Sequence, residues 1–338
     1  MKNIFHSVAF TALILITGLS GSGFAQTRSA TTPRLTNSLM ATLPASDAVA
    51  LVKVRRVFDE VLPGLFSEHP AKLAEVNSKV EEFKLRTGLD PRSFDELALG
   101  LRYSYPSAGV TRIDTVAIAR GSFSAGALVA AGKAAASGAY REENYQGKTI
   151  YVFALDQQLR LFGLWDMKIR ELAVSPLDAN TLVLGHLESV RGAVATRRGA
   201  RRGNAELIAL ASQDANAIIS FGGNISPAVL KNLKIGNEAI AADLATVRQV
   251  YGSVGMNDKN LEMLIAARTV NPNSARNLSD TVEGLRQLGA VFSRQMSSAK
   301  GTLARAALGN LKITTQGNEL QIRTAVSQAE VAPLLGGF

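Results

Sequence analysis

"DAVALVKV" (47–54) and "DANAIISF" (214–221) are the two phrases that decide the fold. Asp, Ala and Ala recur at the first, second and fourth places, and the places after them stay mostly apolar and β-prone. Pro44-Ala45-Ser46 precedes one phrase and Ala211-Ser212-Gln213 the other, so each Asp stands where a turn gives way to a strand. An Asp there serves local turn hydrogen bonds, and the alanines keep one face of the strand thin beneath a helix. The only ionisable groups in the pair are Asp47, Lys53 and Asp214, which argues for architecture over catalysis.

Working outward, the same order of elements follows each phrase. After the first come helical patterns over 57–65 and 70–87, with Leu73, Val76, Val80 and Phe83 on one face, Pro70 in the first turn and Gly88 at the stop. Strands follow at "ELALGLRY" and "TRIDTVAIARG", then a small-residue helix at 124–137. A hairpin turns at Gln146-Gly147, a strand pair spans 171–185, and "HLESVRGAVATR" returns as a helix. After the second phrase come a mostly helical stretch over 226–247, a hairpin turning at Asn257-Asp258, and a long helix over 274–300. That helix carries Leu278, Val282, Leu285, Gly289, Phe292 and Met296 as a stripe, and a hairpin around Gln316-Gly317-Asn318 follows it. Leu172-Ala173-Val174 lines up with Leu311-Lys312-Ile313, and Asn180-Thr181-Leu182 with Asn318-Glu319-Leu320. The expectation is an α+β fold of two similar halves, 43–203 and 204–338, each an antiparallel sheet with helices packed on one face. The first half carries extra residues around "DQQLRLFGLWDM" (156–167).

"ATLPASDAVALVKV", "GSFSAGAL" and "YQGKTIYVF" together resemble a broad group of exported bacterial proteins of unknown function that open with a Leu-Pro-Ala-x-Asp phrase, here Leu43 to Asp47. The resemblance implies an extracytoplasmic, duplicated α+β protein and brings no catalytic residues with it.

The first 25 residues read as a cleaved signal peptide: Lys2, an apolar run from Val8 to Leu19, then Gly23-Phe24-Ala25 at the cleavage site. Residues 26–42 are polar and aperiodic and read as a flexible tether. The mature chain is expected in the periplasm or outside the cell, with no transmembrane segment. There is no cysteine, which excludes disulfides, a lipidated Cys anchor, thiolate metal sites and Cys nucleophiles. Hydrophobic residues make up 46% of the 338, enough to bury a core. The net charge of +9 suits an anionic lipid, polysaccharide or nucleic-acid partner, or plain solubility, and export argues against nucleic acid.

No catalytic set is complete. His69 and His186 are far apart and sit at helix starts, so no metal site is expected. "GKT" (147–149) has Glu142 where a phosphate loop needs Gly, and it lies in a hairpin. Ser297 and Lys300 have the S-x-x-K spacing of a serine hydrolase, without the S-D-N and K-T-G elements. The paired carboxylates at 59–60, 81–82, 95–96 and 142–143 are sequence neighbours, whose side chains diverge. Trp165, Phe162 and Leu164 line a pocket or close a core. Arg197, Arg198, Arg201 and Arg202 form the one charge cluster, at the seam between the halves, and read either as an anion site or as a soluble linker. Two functions remain. The first is an exported non-catalytic binding or scaffold protein of the cell envelope, without cofactor, holding an anionic ligand or an envelope partner between its halves. The second is an exported hydrolase using Ser297 and Lys300.

Overall fold

The computed structural model describes residues 38–107, 110–161, 165–199, 204–226, 237–257 and 260–332; the expected signal peptide and most of the expected tether lie outside them. The phrase "DAVALVKV" supplies β1 (Ala48–Val52). It runs into α1 (Val54–Arg56), a π-helical turn over Val57–Val61, and α2 (Leu62–Leu65). Then come α3 (Pro70–Thr87), β2 (Phe94–Ser107), β3 (Val110–Gly121) and α4 (Ala125–Ala136). The half closes with β4 (Tyr140–Tyr145), β5 (Lys148–Leu161), β6 (Trp165–Asp178), β7 (Thr181–Gly185) and α5 (Leu187–Arg197). The second half is α6 (Ala205–Ala211), β8 (Ala217–Asn224), α7 (Glu238–Leu244), β9 (Val247–Met256), β10 (Asn260–Thr269), α8 (Pro272–Arg294), α9 (Ala299–Gly309), β11 (Lys312–Gln316), β12 (Glu319–Ser327) and α10 (Gln328–Val331).

The fold is α+β, and the two half-sheets join edge to edge into one 12-stranded antiparallel sheet. The join is β1 against β8, with Ala48 opposite Gly223 and Val52 opposite Ile219. Lys53 N–H to the Ile218 carbonyl (2.8 Å) and Asn224 N–H to the Asp47 carbonyl (2.7 Å) extend that ladder at its two ends. From the seam the strands read β1-β2-β3-β7-β6 one way and β8-β9-β10-β12-β11 the other. The hairpin β2–β3 therefore matches β9–β10, and α4 and α8 follow them in the same place. Strands β5 and β4 continue past β6 and have no counterpart among the described residues, so the extra residues are a whole hairpin and not only the stretch 156–167.

The hairpin turns into β7 and β12 are built alike. Asn180 donates its side-chain amide to the Phe123 carbonyl (3.1 Å), and Asn318 donates to the Thr269 carbonyl (2.9 Å). Their own carbonyls accept from Gly121 N–H and Thr269 N–H. Counting inward from these turns through the registers sets Arg120 on Arg268 and Val52 on Gly223. The echoed phrases would instead set Val52 on Ile219, so the two Asp residues are out of step. Asp47 lies on the ladder, its carboxylate accepting from Tyr103 N–H at 2.7 Å. Asp214 precedes its strand and caps Asn216 N–H (2.9 Å) and the Ser253 hydroxyl (2.9 Å). Only Asp214 does the expected local turn work, at Asn216; Asp47 instead ties β1 to β2.

Alternation along β1 sends Val49 and Leu51 to one face and Ala50 and Val52 to the other. Both faces are apolar at the seam, so both need cover. Helices α3, α4, α8 and α9 lie on one face, but the expectation that all helices would pack there is corrected by α5 and α6. The other face is closed over its middle by α5, α6 and a 3-10 turn at Leu39–Thr42. Gly222 lets α6 come close: a side chain there would meet the Leu207 carbonyl at 2.7 Å. The tether reading fails at its end, because Leu39 and Met40, with Leu43 just beyond the tether, are fully buried against Val49, Ala98 and Val116. Two apolar residues at the end of a polar stretch, followed by Leu43, suffice to seat it. The long helix also ends sooner than its stripe suggests: α8 stops at Arg294, and α9 folds back with Gly289 against Leu308.

Ile118 is wholly buried in the main core. Ile118→Ala is expected to lower the unfolding free energy by about 2–5 kcal/mol in chemical denaturation. Leu85→Ala, at a side chain 87% exposed, is expected to stay within about 0.5 kcal/mol.

A polar row and its cleft

Near one end of the second half, a single cross-strand row runs Asn224, Gln249, Arg268, Glu319, Gln316. Period-2 alternation puts all five on the face that carries α6. Glu206, at the start of α6, overhangs them. Glu206, four of the row (Gln249, Arg268, Glu319 and Gln316), Arg248, Thr269, Val270 and Asn318 line an open cleft of about 670 Å³.

Glu319 is the hub. Its carboxylate accepts from the Tyr251 hydroxyl (2.6 Å), Gln321 Nε2 (2.6 Å) and Arg268 Nε (2.9 Å). Burial works to raise its pKa, and these three donors outweigh it, holding the carboxyl below the ordinary carboxylate range. Burial, and then the hydrogen bond to that carboxylate, push the Tyr251 hydroxyl well above its usual pKa. Arg268 also lies over the Tyr251 ring at 5.8 Å and stands 3.7 Å from Glu206. Its guanidinium is thus fixed from below and faces the cleft between two carboxylates. Arg248 is spoken for, donating to the carbonyls of Ala245 and Val247. The arrangement offers two guanidiniums, Arg268 held by carboxylates and Arg248 by backbone carbonyls, with amide groups beside them, and its hydroxyl–carboxylate pair is Tyr251 with Glu319. It suits recognition of a small polar anion.

The first half has the matching row Glu96, Arg120, Thr181, Asp178. Arg120 stands where Arg268 does, but Thr181 replaces the hub carboxylate, and Ala98 stands at the place of Tyr251. The network is therefore particular to the second half.

The residues singled out in the sequence fall elsewhere. Arg197 pairs with Asp178 (2.5 Å), the guanidinium of Arg198 lies beside the Gly147 turn, and Arg201 and Arg202 lie outside the described residues. The seam, where a ligand was expected, is filled by the β1–β8 ladder with α6 over it. Ser297 lies exposed in the turn between α8 and α9, not on a helix, and Lys300 is exposed in the first turn of α9. With Ser297 outside a helix, the S-x-x-K spacing no longer sets the two side chains one turn apart on a helical face, which is the geometry the hydrolase reading relied on. His186 is a boundary residue as expected, its Nδ1 accepting from Thr115 N–H at 3.0 Å. Glu142 pairs with Lys133 and Glu143 with Arg191, diverging as strand neighbours do. The side chains of Phe162, Leu164 and Trp165 lie outside the described residues. No group of three metal-ligating side chains occurs among the described residues. Tyr251, Arg268, Glu319 and Glu206 were missed, and only the matched turns at Asn180 and Asn318 pointed toward them.

No family model matches the chain, and no curated protein matches it. Among solved structures, crystal form I of TP0453 is similar over 89% of this chain and 98% of that one, at 9% identity and a TM-score of 0.39. Crystal form IV of TP0453 covers 90% and 99%, at 10% identity and a TM-score of 0.38. A likeness of that size assigns no function.

Because Glu319 is held below its unfolded pKa of about 4.3, it contributes stability at neutral pH. That contribution is lost as pH falls through its folded pKa. Urea midpoints measured from about pH 6 down to about pH 3 should fall more steeply for the native chain than for Glu319→Gln. Equal slopes would refute the role given to this carboxylate.

Proposed function

We propose that this is an exported, non-catalytic binding protein of the cell envelope, made by duplication of one α+β half, and that its ligand is a small anion held in the cleft at Arg268. The observation that carries the reading is the polar row, with one guanidinium oriented by Glu319 and Tyr251 at the floor of an open cleft. Gln249, Gln316 and Asn318 supply neutral donors and acceptors around it, as recognition of a carboxylate or an acidic saccharide requires. Support for duplication comes from the matched strand order, the paired Asn turns and the coincidence of Arg120 with Arg268. Support for export comes from Lys2, the run Val8–Leu19 and Gly23-Phe24-Ala25. The resemblance to exported proteins opening with Leu-Pro-Ala-x-Asp agrees with it.

Expression in a bacterium with N-terminal sequencing of the exported product should give a chain beginning at Gln26. A cytoplasmic product retaining Met1 would sink the export reading. Thermal-shift screening against uronates, small carboxylates, phosphate and sulfate should find an anion that stabilises the chain, by about 2.7 kcal/mol at a hundredfold excess over its Kd. The stabilisation should vanish in Arg268→Gln and persist when Arg197, Arg198, Arg201 and Arg202 are all changed to Ala. The reverse pattern would move the site to the seam cluster, and no stabilisation by any anion would remove the cleft reading.

A further inference from the structure

We infer that the C-terminal half of α8, with the turn into α9, docks on an anionic lipid surface. The first half of this helix is ordinary: Leu278 is buried, and Val282 packs with it against Leu320 and Val247. Beyond Gly284 the helix and the turn after it carry large apolar residues that the rest of the fold covers only in part. Leu285 is 46% exposed, Leu288 58%, Val291 55%, Phe292 65% and Met296 42%. Four of these lie on α8 and Met296 in the turn after it, and no other element of the described structure exposes more than one. The spacing 285-288-292 continues one helical face, so the apolar arc is wider than the side that α9 and the sheet occupy. Isolated exposed leucines need no explanation, but a continuous stripe marks an interaction surface.

Charge identifies the partner. From Gly284 to Asn310 the chain carries Arg286, Arg294, Lys300 and Arg305 and no acidic residue. Arg286 is paired with Glu283. Arg305 donates to the carbonyls of Ser293 and Met296 and keeps its charge. No ion pair engages Arg294 or Lys300 among the described residues. An apolar stripe bordered by unbalanced cations is the signature of a helix lying in the plane of an anionic bilayer surface. A second copy of the chain would bring the same cations against each other around the stripe, which disfavours self-association. No helix of the described residues is long and apolar enough to cross a membrane, and lying in the interface requires none. The inference is independent of the cleft at Arg268.

The absence of cysteine allows a site-specific test on the full chain. Leu288→Cys carries an environment-sensitive dye, and Glu188→Cys on the opposite face of the sheet carries the same dye as control. Each is mixed with vesicles of phosphatidylglycerol and phosphatidylcholine containing a nitroxide lipid. The N-terminal apolar run is common to both chains and cannot produce a difference between them. Quenching at 288 and not at 188, absent with pure phosphatidylcholine, is expected. Arg294→Gln with Lys300→Gln should weaken the vesicle affinity read at 288 roughly thirtyfold. Equal quenching at both sites, or none at 288 while the chain still sediments with vesicles, would overturn the proposal. So would a dye shift at 288 that grows with protein concentration in the absence of lipid, which would assign the stripe to a second copy.

Discussion

The backbone ladder between β1 and β8 is the constraint on which the rest depends. Without it each half would end in a bare strand edge at its apolar centre, an invitation to pair with another chain. The ladder removes that edge, and it requires thin strands. Ala48 and Ala50 face Gly223 and Phe221, while Gly222 admits the backbone of α6. The two strands are apolar on both faces, so a core must form on each side of the sheet. That is why the segment before β1 folds down: Leu39, Met40 and Leu43 close one face while the helices after β1 close the other.

Much of this was legible. Period-2 and period-3.6 patterns placed nearly every strand and helix that is described, and turn chemistry placed the hairpins at Gln146-Gly147 and Gly317-Asn318. Pairing was harder to read. Gln146-Gly147 marks a hairpin in sequence, but nothing local says that this hairpin lies at the sheet's far edge and has no partner in the second half. The echoed D-A-x-A phrases pointed to the right strands and the wrong register. Four residues of slippage cost a short alanine-rich strand little in sequence pattern, and the hydrogen bonds of β2 and β9 decide it. Leu39 and Met40 were hidden by polar neighbours. The candidate site was almost illegible. Arg268, Glu319 and Tyr251 are 51 and 68 residues apart along the chain in their contacts, and only the pairing of β9, β10 and β12 brings them together.

The two halves differ at the row that matches between them. An Arg stands at the same register in each, with a turn Asn beside it. Opposite that Arg, the first half has Thr181 and the second has Glu319. A carboxylate buried beside a guanidinium needs further donors to be tolerated, and Tyr251 and Gln321 supply them. One change of residue type therefore entails the others. The first half instead adds β4 and β5 beyond β6, where the second half ends at β11.

Alternation ties the cleft to the stripe on α8. Arg268 and Glu319 face one side of the sheet, and their sequence neighbours Ala267 and Leu320 face the other, under α8. The same two strands thus present a polar cleft on one face and anchor an amphipathic helix on the opposite face. A helix lying on lipid would hold the sheet above the surface with the cleft opening away from it, into the aqueous side. Lipid docking and ligand capture then do not compete for the same face. The cations of α8 and α9 stand on the far side of the sheet from Arg268, so an anionic surface that drew the stripe down would leave free the guanidinium that the cleft presents.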